Sequence, residues 1–209
     1  MVARLAVIVE ERNFIYLSTP KVANTSIKSA LLTLQGIGDA SQPHSENQPI
    51  RTLPLSDVRS PNYSLFFKFG FVRNPWDRLL STWADKCGEN TDVDLSHYGL
   101  PPGISFSDFV INSCRLNDTY TEIHLRSQVH FLMHAGCFLA DYIARFENIE
   151  AEWQRISSLI LSKRDKRLQL PKMRRSTHSH YRDYYTPYLA QLVGQRYESD
   201  IKLFGYRYK

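Results

Sequence analysis

Phe14-Ile15-Tyr16-Leu17-Ser18-Thr19-Pro20-Lys21-Val22-Ala23-Asn24-Thr25-Ser26-Ile27-Lys28 is the stretch on which the fold turns. Phe14–Ser18 reads as a strand, and Thr25–Leu34 as a helix with Ile27, Ala30, Leu31 and Leu34 on one face. Working outward, Leu5–Val9 and the aromatic run Phe66–Val72 are strand-like, with a further candidate at Ala140–Phe146. Pro75 suits the first position of a helix ending near Cys87. Ser105–Cys114, with Ser105 or Ser107 as cap, Ile149–Ser162 and Pro187–Phe204 read as further helices. Residues 35–64 and 89–104 are rich in loop-forming types, with a short helical turn expected near Leu55–Val58. Strands separated by helices imply crossovers and a mainly parallel central sheet flanked by helices, an α/β class. Ligands in such sheets lie at the carboxyl ends of the strands, here the loops after Ser18 and Val72.

The 209 residues fit a single domain, with 43% apolar and 22% charged residues as in ordinary globular proteins. That excludes a disordered chain or a fibre. No apolar run is long enough for a membrane span, and Leu5–Val9 runs straight into Glu10, Glu11 and Arg12, as a strand would and a signal peptide would not. A net charge of +5 favours anionic partners without choosing among them. The three cysteines are odd in number and lack CxxC spacing, which argues against a disulfide scaffold or zinc site and for a reducing compartment. His130 and His134 are four apart but lack the glutamate of a zinc-protease helix, so no metal is expected.

Two motifs carry chemistry. Thr19–Lys28 joins a strand to a helix, where unsatisfied N–H groups and the positive end of the dipole favour an anion. Lys21 adds charge, and Thr25 and Ser26 add hydroxyls. An ordinary helix capped by Thr25 or Ser26 is the alternative. The Gly-rich Lys-Ser/Thr pattern of an ATP-binding loop is absent, which disfavours a nucleotide kinase. In Phe71-Val72-Arg73-Asn74-Pro75-Trp76-Asp77-Arg78-Leu79-Leu80-Ser81, Arg73 ends a strand and has the fork to grip a phosphate, while Ser81 lies two helical turns on. Spacing puts Ser81 on a face with Asp77 and Arg78, apart from Trp76 and Leu80. The competing reading makes Arg73 and Arg78 surface ion-pair partners of Asp77 or Asp85.

Taken together, these motifs resemble those of the sulfotransferases that use 3′-phosphoadenosine 5′-phosphosulfate (PAPS). The likeness is to the carbohydrate branch, with its chondroitin 4-O- and HNK-1-type enzymes and bacterial relatives. Pro20-Lys21-Val22-Ala23-Asn24-Thr25-Ser26 is similar to that family's 5′-phosphosulfate loop, and the segment Arg73–Ser81 to its 3′-phosphate motif. The stretches 124–132, 141–153 and 181–206 are similar to bacterial members as well. The resemblance implies a three-layer, P-loop-like domain. It implies that Lys21, Asn24, Thr25 and Ser26, together with Val22 and Ala23, hold the 5′-phosphosulfate. Arg73 and Ser81 would hold the 3′-phosphate. Arg174 and Arg175, in a basic stretch, would favour the same phosphate.

The implied reaction is an in-line sulfuryl transfer to an acceptor hydroxyl, most naturally of a carbohydrate, with alignment and charge stabilisation from the protein. Lys21 would meet the charge growing on the leaving 5′-phosphate, and no divalent metal is required. His44 and His124 are the candidate bases. Arg126 and Gln128 are placed to meet a sugar, and Tyr63, Tyr98 and Phe106 to stack on one. Animal Golgi members begin with a membrane anchor that this chain lacks, so a soluble, bacterial, cytoplasmic enzyme is expected, or a Golgi-lumenal one if the sequence is truncated. A basic nucleic-acid-binding module is the rival from another class, but Lys and Arg are scattered and no such fold pattern occurs.

Overall fold

The structure is a computed structural model that describes residues 5–37, 50–88, 91, 93–162, 168–171 and 179–209. Its strands are β1 (Leu5–Val9), β2 (Phe14–Leu17), β3 (Thr52–Pro54), β4 (Phe67–Val72), β5 (Met133–His134), β6 (Cys137–Phe138) and β7 (Tyr142–Arg145). Its α-helices are α1 (Asn24–Leu34), α2 (Pro75–Lys86), α3 (Phe106–Ser113), α4 (Val129–Leu132), α5 (Ile149–Ile160), α6 (Pro187–Arg196) and α7 (Glu198–Phe204). The chain divides into two compact units, Met1–Val72 with Phe131–Arg174, and Arg73–His130 with Arg175–Lys209.

The first unit is built on a five-stranded sheet in the order β3-β1-β2-β4-β7. β2, β4 and β7 pair in parallel, while β1 pairs antiparallel with both β2 and β3. Four strands therefore run one way and β1 opposes them. The expectation was a mainly parallel sheet, and β1 is the exception to it. Glu10–Arg12 form one 3₁₀ turn, too short to carry a crossover. Asn13 closes it at φ 53°, a left-handed conformation that asparagine tolerates. All four residues of β2 are buried, as are the last five of β4, in keeping with strands covered on both faces. α1 and α5 bring Ile27, Leu31, Trp153 and Ile156 into one core with Val7, Tyr16, Phe69 and Phe71. Opposite them Gly70 is required by close approach: a Cβ there would sit 2.5 Å from Leu132 Cδ2.

The second unit is helical. Asn74 caps α2 by accepting from the Trp76 N–H at 3.0 Å, and Pro75 occupies the first turn. Ser105, not Ser107, caps α3, its Oγ accepting from the Asp108 N–H at 3.1 Å. Leu79, Phe109, Leu189 and Val193 share the core of this unit. Trp76 locks α2 to α6 through an indole N–H that reaches the Ala190 carbonyl at 2.9 Å. The long last helix expected from Pro187 to Phe204 is two helices, broken at Tyr197, where ψ of 30° turns the chain. Tyr197 is buried and its hydroxyl donates to the Leu125 carbonyl at 2.8 Å, so the break fixes a core side chain.

Candidate active site

In the first unit the loop after β2 is bent by two non-glycine residues in the left-handed region, Lys21 at φ 68° and Ala23 at φ 63°. Each such residue costs about 1–2 kcal/mol, and strain of this kind concentrates at ligand-binding sites. Ala23 is the cap residue of α1 and offers no side-chain acceptor. Thr25 and Ser26 lie inside the first turn, so the reading that made either one the cap is corrected. The result is a helix end whose first N–H groups have no side-chain cap, the arrangement that receives an anion. Val22 is fully buried in the core, which leaves only its backbone to serve the loop.

The same loop is braced from β2. Asn24 Oδ1 accepts from Tyr16 Oη at 3.2 Å and from Ser18 Oγ at 2.8 Å, which turns its NH₂ group into the remaining donor. Burial pushes the Tyr16 phenol far above its ordinary pKa, so it stays a hydrogen donor. Thr19 is fully buried, and its hydroxyl has no hydrogen-bond partner among the described residues. Burial also lowers the pKa of Lys28, one turn into α1.

In the second unit Arg73 directly follows β4 and is 6% exposed. Its Nε donates to Asp77 Oδ2 at 2.8 Å. This is the ion pair that the competing reading foresaw, but it is largely buried and not a surface pair. Ser81 is buried too, and so is Arg78. α2 buries Trp76, Arg78, Leu79, Leu80, Ser81 and Thr82 alike, so the separate polar face expected for Ser81 does not exist. Arg78 is no surface partner of Asp85. Burial lowers its pKa, and Tyr197, Asp200 and Asp118 oppose that.

His124 lies in a 3₁₀ turn, Ile123–Leu125, partly exposed. Its Nδ1 meets Glu122 Oε1 at 2.7 Å, and its backbone N–H donates to Glu122 Oε2 at 2.6 Å. Burial alone would raise the Glu122 carboxyl, but the bonds from His124 outweigh it and hold Glu122 below the ordinary glutamate value. The Thr82 hydroxyl, beside Ser81, reaches the His124 carbonyl at 3.5 Å. Arg126 and Gln128 are not available to a sugar. Arg126 is buried with Nε and Nη2 on the Thr121 carbonyl at 3.2 Å, and Gln128 is fully buried against Arg73 and Asp200. Phe106 belongs to the core, in edge contact with Tyr185, and is no stacking platform. His44, Arg174 and Arg175 lie outside the described residues. Asp200 and Tyr16 escape sequence reasoning because nothing near them in the chain marks them, and Gln128, expected to meet a sugar, instead meets Arg73 and Asp200. Glu122, two residues before His124, was a visible signal.

A family model described as the sulfotransferase family matches residues 4–207. The chain belongs to the sulfotransferase family. Among its relatives, carbohydrate sulfotransferase 11 of Rattus norvegicus is 26% identical over 163 residues, covering 73% of this chain and 44% of that protein. Carbohydrate sulfotransferase 10 of Homo sapiens is 29% identical over 105 residues, 46% of this chain and 30% of that one. The chain spans less than half the length of these relatives. No solved structure matches it significantly. Sulfotransferase membership favours neither the kinase nor the nucleic-acid alternative. These relatives are vertebrate proteins and lend no support to the bacterial source. Among the described residues no helix is long and apolar enough to cross a membrane.

Proposed function

We propose that this sulfotransferase moves the sulfuryl group of PAPS to a carbohydrate hydroxyl, as one catalytic domain of P-loop-like, three-layer type. The observation that carries the reading is the loop after β2. Its two left-handed residues, uncapped helix end and buried, unpartnered Thr19 hydroxyl suit a tetrahedral anion that supplies the missing acceptors. Lys21, Asn24, Thr25 and Ser26, with the N–H groups of Val22 and Ala23, hold the 5′-phosphosulfate; Arg73 and Ser81 hold the 3′-phosphate. Both segments follow the carboxyl ends of the neighbouring parallel strands β2 and β4, where α/β sheets bind ligands.

The acceptor oxygen attacks sulfur as the bond from sulfur to the 5′-phosphate oxygen breaks. The acceptor proton passes to Nε2 of His124, while adenosine 3′,5′-bisphosphate (PAP) leaves. Glu122 holds the His124 ring through Nδ1 and stabilises the imidazolium that forms. Lys21 neutralises charge on the departing phosphate. The animal members of the family favour a Golgi-lumenal setting. Calorimetry with PAP tests donor binding, and a screen of hydroxylated acceptors with radiolabelled PAPS tests transfer. Folded protein that binds no PAP overturns the proposal.

A further inference from the structure

Arg73 is mounted through its backbone by a residue far away in the chain. The Gln128 side chain accepts from the Arg73 N–H at 2.8 Å through Oε1 and donates to the Arg73 carbonyl at 2.9 Å through Nε2. It pairs with both polar groups of one residue, as a neighbouring strand would, where β4 has ended and α2 has not begun. The amide has only one productive orientation, because Asp200 sets it. Asp200 Oδ2 accepts from the Gln128 backbone N–H at 2.8 Å and from Nε2 at 3.3 Å, and Oδ1 accepts from the Val129 N–H at 2.9 Å. Gln128 and Asp200 are both fully buried, so water does not compete for these bonds. With the backbone of Arg73 fixed by Gln128 and its Nε fixed by Asp77, the guanidinium has little freedom left.

We infer that Gln128, oriented by Asp200, is the positioning residue that aims Arg73 at the 3′-phosphate. The inference rests on the donor reading above. It deepens that reading by assigning the preference for a 3′-phosphorylated nucleotide to a buried pair that touches no nucleotide. Preorganisation of this kind counts because a charged fork aligned in advance loses less on binding.

The test is the 3′-phosphate preference, the Kd for adenosine 5′-phosphate divided by the Kd for PAP, by calorimetry. Gln128→Met keeps the volume and removes both bonds to Arg73. The preference should fall roughly tenfold, toward that of Arg73→Ala, while the Kd for adenosine 5′-phosphate stays near wild type. Gln128→Asn keeps the amide and adds no charge beside Asp200, but it ends one methylene short of Arg73 and should lose part of the preference; it also serves as the readout if Gln128→Met does not fold. Equal weakening of both nucleotides, or an unchanged preference in either variant, overturns the inference. Wild-type protein that binds PAP no better than adenosine 5′-phosphate overturns the donor reading, and the inference with it.

Discussion

The Nδ1 atom of His124 lies 2.7 Å from Oε1 of Glu122, and the same carboxylate accepts the His124 backbone N–H. The ring is thereby oriented, and in the proposed mechanism Nε2 is the atom that takes the acceptor proton. His124→Ala should lower kcat about 10²- to 10⁴-fold with the Kd for PAP unchanged. An unchanged kcat would move the base elsewhere.

Glu122 also links the site to acid stability. Its folded pKa is depressed, so the Glu122 contribution is fully present above the ordinary glutamate pKa and is lost as pH falls through the depressed value. Glu122→Gln should be less stable than wild type at pH 7, and the gap should close below about pH 4. Urea titrations at both pH values would show it.

Lys21→Ala removes a charge from a loop already strained at that position. We expect turnover to fall about 10²-fold or more with the unfolding free energy within about 0.5 kcal/mol of wild type. Single-turnover kinetics with PAPS separates this from a binding defect; normal turnover would exclude Lys21 from the chemistry.

The elements that carry the candidate site were largely legible in the chain. The strand, loop and helix around Lys21 follow from apolar periodicity, and the strand end at Arg73 from the aromatic run before it. What was not legible has a common cause. The opposed direction of β1 depends on the three-residue turn, which apolar pattern does not report. The burial of Arg78 and Ser81 depends on which helices pack around α2, and charge type pointed the wrong way. Gln128 reaches Arg73 across 55 positions and Asp200 reaches Gln128 across 72, separations at which no local signal exists.

Asp77→Ala should loosen Arg73 without disturbing the core, since Asp77 is only partly buried. PAP should bind several-fold more weakly, with kcat at saturating PAPS nearly unchanged. A fall in kcat alone would argue that Asp77 acts in the chemistry.

Gly70→Ala probes the sheet itself. The added methyl meets Leu132 Cδ2 at 2.5 Å, so the side chain or strand must shift. A loss of about 1–3 kcal/mol is expected from chemical denaturation, and Leu132→Val together with Gly70→Ala should recover part of it.

The ladder that carries the loops after β2 and β4 has a kinetic consequence. β1 and β2 lie next to one another in the chain and can zip at once, but β4 joins β2 only after the long stretch from Leu17 to Phe67 has closed, and β7 joins later still. Ordering that rests on such distant partners is slow. During synthesis the β1–β2 hairpin emerges first and must wait for the strand that leads to Arg73.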